Sequence, residues 1–389
     1  MRRRMQKGER IMLKHTGRLT VLLALILLCT ACSVGSSPFS PAESSRTVRI
    51  SVSTSSDSVE REGIRLFVDQ LIENSDTPLD VSLFYEDDPE ASLLAGEADI
   101  IYIDSATLAT HESDFAIYAS PYYFEDYTHM TMVLNSPTFL GLTKEDYIES
   151  LSARQLGAFY GGTMMLLTKE NPIRAIPDME EFTLAPLSDN YTEQTLGSLF
   201  GDVVLDTSSP LTAWTDEQVT AVEVNSALLG EMESAEIGRA YLINTSHRVE
   251  VDWLFVSDDF YIASNENLQA ALQEAAAYAV AYVDGARQTA YEEAYTALQE
   301  RGVRSARFVT DNLRRTGKEL LTSETDFYEQ VDRSRYDSIS MIIRCLLLPR
   351  GIFPPGQFIL EERIEKRPGF LRAFFELERM DSSSQITWR

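Results

Sequence analysis

Histidine is scarce in this chain: there are four in 389 residues. His111, His129 and His247 fall too far apart to form a metal-ligand pair, and no GxSxG nucleophile elbow occurs. Asp and Glu are too abundant for any pair to stand out as catalytic. The sequence therefore predicts neither an enzyme nor a cofactor or metal site. Basic residues are also in deficit, 34 against 60 acidic, a net charge of −26. That balance excludes a nucleic-acid groove and repels anions at long range. Cys29, Cys32 and Cys345 are too few for a disulfide framework. No fixed-period repeat appears, which excludes a solenoid. The apolar run from Leu19 to Ala31 covers 13 residues, whereas a spanning helix needs about 20.

That short run is informative through its flanks. Arg2, Arg3, Arg4, Lys7, Arg10, Lys14 and Arg18 precede it against a single acid, Glu9, the charge bias of a secretory signal. Thr30 and Ala31 stand directly before Cys32, and this resembles a bacterial lipoprotein box in which the cysteine is lipidated and becomes the first mature residue. Cys29 occupies a position where that pattern usually has Leu. The alternative is an ordinary cleaved signal with incidental cysteines. The expectation is a signal peptide at 1–31, Cys32 as the lipidation site, and a lipid-anchored linker at 32–46 whose Ser and Pro content cannot form a core. The chain would then be extracytoplasmic, tethered to the cell membrane facing the periplasm or the outside. Removing the 7 basic and 1 acidic residues of the leader leaves 27 basic against 59 acidic, a net charge of −32. Cys345 has no partner and reads as a small buried apolar residue.

Beyond the linker, strand and helix signals alternate. TVRISVST places Val48, Ile50 and Val52 at a period of two. A helix from about Asp57 carries Ile64, Phe67, Val68, Leu71 and Ile72 on one face. LDVSLFY is a second strand, Ala91 to Ala95 a short helical piece closed by Gly96, and DIIYI a continuous apolar strand of the buried parallel type. LGAFY and TMMLLT read as strands on either side of Gly161 and Gly162. FTLAPL, DVVLD, TAVEV, RAYLINT and VDWLFVS read as further strands. Asn265 to Arg301 forms one long Ala-rich helix with Leu268, Leu272, Ala275, Ala276, Ala279 and Tyr282 at helical spacing. The alternation predicts an α/β sheet with right-handed crossovers.

LLAGEADI, SPYYFEDYTH, a Gly-Gly turn at Gly161 and Gly162 leading to NPIRAIPDMEEFTLAPL, LTAWTDEQVTAVEVN, then YLINTSH with VSDDF and a long helix ending TALQERGV follow one another in order. In that order, from about Val48 to Val303 and more weakly to Arg344, the chain resembles the substrate-binding proteins of tripartite ATP-independent periplasmic (TRAP) transporters. The resemblance implies a two-lobed periplasmic-binding-protein-like α/β fold with crossing strands. It implies that a small, usually carboxylate-bearing solute is caught between the lobes and delivered to TRAP-type permease subunits. The expected division is a two-lobed domain at 47–344, with 47–157 plus 241–263 as one lobe and 158–240 plus 264–344 as the other. The segment 345–389, with 7 basic and 6 acidic residues, breaks the acidic pattern and is expected to be a poorly packed extension.

Open α/β sheets bind ligands beyond the carboxyl ends of their strands. That rule nominates Tyr102, Asp104 and Ser105 after DIIYI, and Tyr160 and Thr163 around the glycine pair. Helix capping by Asp104 and Ser105 and core packing of the tyrosines are the competing accounts. Trp214 is a candidate for stacking on a ligand or, alternatively, for burial. Ser188 completes the set read from the residues. The resemblance adds Met164, Ala185 and Glu223, two of them as departures. Where the family has an arginine in a pattern like GLKIRVP this chain has Ala185. A second family arginine aligns with Met164, and the aspartate and asparagine of a VDGQEN-like segment align with Thr220 and Val224, while Glu223 matches its glutamate. A buried carboxylate without its bidentate arginine forfeits about 1.5–3 kcal/mol per hydrogen bond. Simple carboxylates are therefore expected to bind weakly, and a neutral, zwitterionic or cationic solute is expected instead. The other reading is a sensory or partner-binding lipoprotein with a degenerate pocket.

Overall fold

In the computed structural model the described residues run from 45 to 340, apart from 188–190, 206–209, 233–236, 332, 334, 335 and 338. Cys32, Cys345 and the extension 345–389 lie outside them. Nine strands form one mixed sheet. They are β1 (Arg46–Ser53), β2 (Leu79–Glu86), β3 (Ile100–Asp104), β4 (Ala153–Lys169), β5 (Thr183–Ala185), β6 (Asp202–Val203), β7 (Ala221–Val224), β8 (Ala240–Ser257) and β9 (Arg304–Ala306). The order is β2-β1-β3-β8-β4-β7-β5-β6, with β9 beside β8. Strands β1, β2 and β3 are mutually parallel, as are β5, β6 and β7.

Strands β4 and β8 join these two parallel groups. They pair antiparallel from Ala153 opposite Ser257 to Lys169 opposite Ala240. The last part of β8 pairs with β3 on one edge and with the first part of β4 on the other; the last part of β4 carries β7 and the first part of β8 carries β9. The fold is thus the two-lobed α/β fold expected, with two strands running through both lobes. It differs in one respect. LGAFY with TMMLLT, and RAYLINT with VDWLFVS, are two continuous strands of 17 and 18 residues, not four short ones. The glycine pair marks an irregularity in register between Tyr160 and Gly162, not a turn.

Helices cover the sheet. Helix α1 (Ser58–Asn74) starts at a capping box: Asp57 accepts from the amides of Val59 and Glu60 while Glu60 accepts from the amide of Asp57. It buries Ile64, Phe67 and Leu71 against Val48, Ile50 and Val52 of β1, whereas Ile72 is exposed. Helix α2 (Glu266–Glu300), capped by Asn265, is the 35-residue element expected, about 52 Å long at 1.5 Å per residue. Its first half packs Leu268, Leu272, Ala275, Ala276, Ala279 and Val283 into the core under α1, and its last turns pack Ala294 and Leu298 into the core around Trp214 and Val222. One rigid rod therefore anchors the cores of both lobes. Tyr282, expected on its buried face, is exposed; Val280 and Val283 are buried instead.

Alanines on α2 make close contact with α1 possible, and Gly63 of α1 does so further. A Cβ on Gly63 would stand 2.4 Å from Val283 Cγ2, whereas one on Gly285 would meet nothing within 4 Å. Removing a helical glycine gains up to about 1 kcal/mol, but overpacking a close contact costs about 1–3 kcal/mol. The same substitution should therefore change sign between the two sites. Gly63→Ala is expected to lower the urea midpoint and Gly285→Ala to raise it; shifts in the same direction would show that α1 and α2 do not meet as described.

Candidate functional site

A cavity of about 430 Å3 opens where β4 and β8 cross between the lobes. That volume suits a small organic molecule. The charged groups of its wall come from four pieces of the chain. The start of α1 brings Asp57 and Glu60, the end of β3 brings Asp104 and Ser105, α2 brings Arg287, and β8 brings Arg248, Glu250 and Asp252. Alternation along β8 explains the last set. Val249, Val251 and Trp253 point into the apolar core on one face, and Arg248, Glu250 and Asp252 point the other way. Further along the same face the strand is apolar again, with Leu254 and Val256 packed under α1 and α2.

Glycine makes the room on the facing strand. A Cβ on Gly161 would stand 2.8 Å from Asp252 Oδ2 and 2.9 Å from Glu250 Cβ, and one on Gly162 would stand 3.2 Å from Glu250 Oε2. Gly162 has φ +147°, a region L side chains rarely adopt. The pair lets two carboxylates of β8 stand beside the backbone of β4.

Each charged group has a distinct environment. Arg287, 3% exposed, donates to both Asp57 and Glu60, so the two acids that cap α1 also hold the guanidinium. Burial opposes the Arg287 charge, but Glu60 and Asp57 outweigh it and keep the group ionised. Burial pushes Glu60 up to about 7 against the pull of Arg287. Asp252 accepts a hydrogen bond from Tyr102 Oη at 3.2 Å. Burial, then the neighbouring Glu60 and Asp104, push its carboxyl well above the ordinary range. Burial also raises Glu250, which accepts from Asn225 Nδ2 at 3.2 Å.

Arg248 is 5% exposed. Its Nη2 stands 3.6 Å from Glu223 Oε1 and 3.6 Å from Glu250 Oε1, and among the described residues neither Nε nor Nη2 has a hydrogen-bond partner. Glu223, fully buried on β7, sits behind it. It accepts from the Leu187 amide at 2.7 Å, and its Oε1 lies 3.0 Å from His247 Nε2, while His247 Nδ1 lies 2.7 Å from Thr245 Oγ1. Burial alone would raise the Glu223 carboxyl; the His247 hydrogen bond and the Arg248 charge prevail and hold it below the usual range.

Of the residues singled out from sequence, Asp104 and Ser105 line the cavity. Asp104 also caps the short helix Ser105–Ala109 through the Thr107 amide, and Ser105 Oγ donates to the Val251 carbonyl and accepts from Trp253 Nε1. Tyr102 and Glu223 stand one layer back, bonded to Asp252 or set behind Arg248. Tyr160 and Thr163 are hydrogen-bonded to each other at 2.7 Å, with the Tyr160 ring against Tyr127. Met164 is fully buried, and its cross-strand partner is Arg248. Ala185 and Trp214 are buried in the core of the β5–β7 half, away from the cavity. Lys169 is occupied by the Trp214 carbonyl and ring. Ser188 lies outside the described residues. Sequence reasoning missed Arg248, Glu250, Asp252, Arg287 and the pair Asp57 and Glu60. The available signal was the run RVEVD, which alternates three ionisable residues with valines directly before the apolar run WLFV.

The family model DctP, described as bacterial extracellular solute-binding protein, family 7, matches residues 50–330. The chain belongs to this family. Solved structures agree in fold. A TRAP periplasmic solute-binding protein from Rhodobacter sphaeroides is 15% identical at a TM-score of 0.69, covering 77% of this chain and 99% of that one. One from Ochrobactrum anthropi is 19% identical at 0.66, covering 78% and 96%. The ectoine-binding protein TeaA of the TeaABC TRAP transporter is 17% identical at 0.66, covering 78% and 100%. No curated protein matches the chain in sequence. Such identities establish the two-lobed architecture and leave the ligand open. For a family 7 member the charged crossing is where a solute would be held, since the cavity lies between the lobes.

The Glu223 environment gives this family 7 protein a measurable acid sensitivity. A carboxyl whose folded pKa is depressed adds stability above its unfolded pKa of about 4.3, and that stability is lost as pH falls through the folded value. Glu223→Gln leaves Arg248 with Glu250 as its remaining counter-charge, so the loss at pH 7 should fall below the roughly 3–5 kcal/mol of a fully unpaired buried charge. In urea titrations the gap between wild type and variant should be widest at pH 5–7 and shrink below about pH 4. A gap that stays constant with pH would rule out this role for the Glu223 charge.

Proposed function

We propose that this chain is an extracytoplasmic solute-binding lipoprotein that captures a small organic solute between its lobes and delivers it to a TRAP-type membrane permease. The observation that carries the reading is the cavity at the crossing of β4 and β8, lined by charged groups from β8, the end of β3, the start of α1 and α2. Family membership supplies the solute-binding class. The proposed lobes are 47–157 with 241–263, and 158–240 with 264–344. Solute entry would draw them together around the crossing strands, excluding water from the charged wall. The anchor at Cys32 rests on the sequence alone, through the basic leader, the short apolar run and the small residues before the cysteine. Among the described residues no helix is long and apolar enough to cross a membrane.

Two measurements test this. The small molecule that copurifies with the protein can be identified by mass spectrometry and added back at saturation. Small-angle scattering should then show compaction, and an unchanged radius of gyration with verified binding would sink the capture mechanism. Cys32→Ser should move the protein from the membrane to the soluble fraction; unchanged fractionation would remove the lipid anchor from the reading.

A further inference from the structure

We propose that the cavity takes a small organic zwitterion, with a planar oxyanion on Arg248 and a cationic centre against the carboxylates of Asp252 and Glu250. The proposal rests on the cavity being the solute site and goes on to name the class of solute.

The anionic end follows from Arg248. Its Nε and Nη2 form the side-on edge of the guanidinium, which a carboxylate or similar oxyanion meets with two parallel hydrogen bonds. Both atoms are buried and lack a hydrogen-bond partner among the described residues, and the nearest carboxylates stand too far off at 3.6 Å. Leaving such donors dry is costly, so a bound oxyanion has something to satisfy. Met164 directly across the strand pair offers them no acceptor apart from its weak thioether.

The cationic end follows from what Arg248 and Arg287 leave over. Arg287 is committed to Asp57 and Glu60, and Asp104 to its helix cap. Among the described residues Asp252 accepts a side-chain hydrogen bond only from the Tyr102 hydroxyl and Glu250 only from the Asn225 amide, with Arg248 Nη2 3.6 Å from Glu250. An anion alone would satisfy Arg248 and then face these carboxylates; a cation alone would leave the guanidinium edge dry. A molecule carrying both charges answers both. Among the described residues no set of three His, Cys, Asp or Glu side chains could hold a metal ion, so the cation is an organic one. The glycine pair keeps both carboxylates accessible, because side chains at Gly161 and Gly162 would fill the space beside them.

This arrangement also predicts linkage to protons. Asp252 is faced by Tyr102 and Asp104 of β3, Glu60 of α1, Arg287 of α2 and Glu250 of its own strand. Burial and these acids favour its protonated form, and an arriving cation favours the ionised one. Binding should therefore release protons and strengthen as pH rises. An anion bound among the same acids would do the opposite.

The test uses the full chain freed of copurified solute and three matched sets of probes. The zwitterions are 4-aminobutanoate and 5-aminopentanoate. Their methyl esters carry only the cation, and their N-acetyl derivatives only the anion. Calorimetry at pH 6 and pH 8, in buffers of different ionisation enthalpy, reads affinity and proton release together. At least one zwitterion should bind at least tenfold more tightly than both of its controls, release protons and bind better at pH 8. Arg248→Gln and the near-isosteric Asp252→Asn should each weaken it at least tenfold. Asp252→Asn also removes a buried charge, so its ligand-free melting temperature at pH 8 should not fall, which separates lost binding from lost folding.

N-acetyl derivatives binding as well as the zwitterions would overturn the proposal while leaving solute capture intact. Methyl esters doing so would remove Arg248 from it with the same result. Silence from every probe overturns it too; if a copurified molecule nonetheless compacts the protein, solute capture survives, and if none does, both readings fall.

Discussion

The pairing of β4 with β8 is the constraint on which the rest depends. Two strands of 17 and 18 residues are hydrogen-bonded along nearly their whole length and carry the parallel strands of both lobes on their outer edges. Their register sets Phe159 opposite Asp252, Gly162 opposite Glu250 and Met164 opposite Arg248. A one-residue slip would turn the side chains of Arg248, Glu250 and Asp252 into the aromatic core around Trp253 and those of Val249 and Val251 out of it. The large apolar side chains on the other face, Trp253 and Phe255 stacked at 5.8 Å with Phe115 and Tyr118 edge-on to Trp253, hold the register against that slip.

The charges at the crossing oppose folding in part, and the structure distributes that cost unevenly. Arg287 and the α1 capping box share two acids, so one set of hydrogen bonds fixes a helix start and ties it to α2. Glu223 is held ionised by its partners and stabilises the fold at neutral pH. Asp252 and Glu250 do the reverse. A carboxyl with a raised folded pKa contributes fully below its unfolded value and loses that contribution as pH rises through the folded one. Strain of this kind, concentrated in one patch while the surrounding cores are dry and apolar, is the pattern of a site kept for binding at some cost in stability.

Much of the fold was legible because its signals are periodic. The alternation in β1, the apolar run of β3 and the long face of α2 each state their own secondary structure. The strand crossing was not, because Gly161 and Gly162 read locally as a turn, and only tertiary pairing shows that they are a place where side chains are left out. Ile72 and Tyr282 lie at the margins of helical faces, where the period does not say how wide the buried stripe is. Within the site, Asp104 and Ser105 were visible through the strand-end rule. Arg248 was not, because transferring a family pattern position by position asks only what stands at Ala185 and Met164. A guanidinium supplied from the partner strand is invisible until the register between Met164 and Arg248 is known.

In the proposed capture mechanism the placement of Arg248 on β8 decides where selectivity arises. In an open, wet cleft two charges 4 Å apart interact by about 1 kcal/mol, whereas at the effective dielectric of a protein the same pair is worth about 4 kcal/mol. Capture in the open state therefore discriminates little between solutes of different charge. Closure removes water from a wall that carries both signs, so every unmatched charge becomes more costly and every matched one more favourable. A solute that answers only Arg248, or only Asp252 and Glu250, resists closure by leaving the other sign dry. One that answers both promotes it. Under the proposed capture mechanism the charge pattern of β8 would act on the equilibrium between open and closed forms, and a permease that accepts the closed form would read solute identity through it.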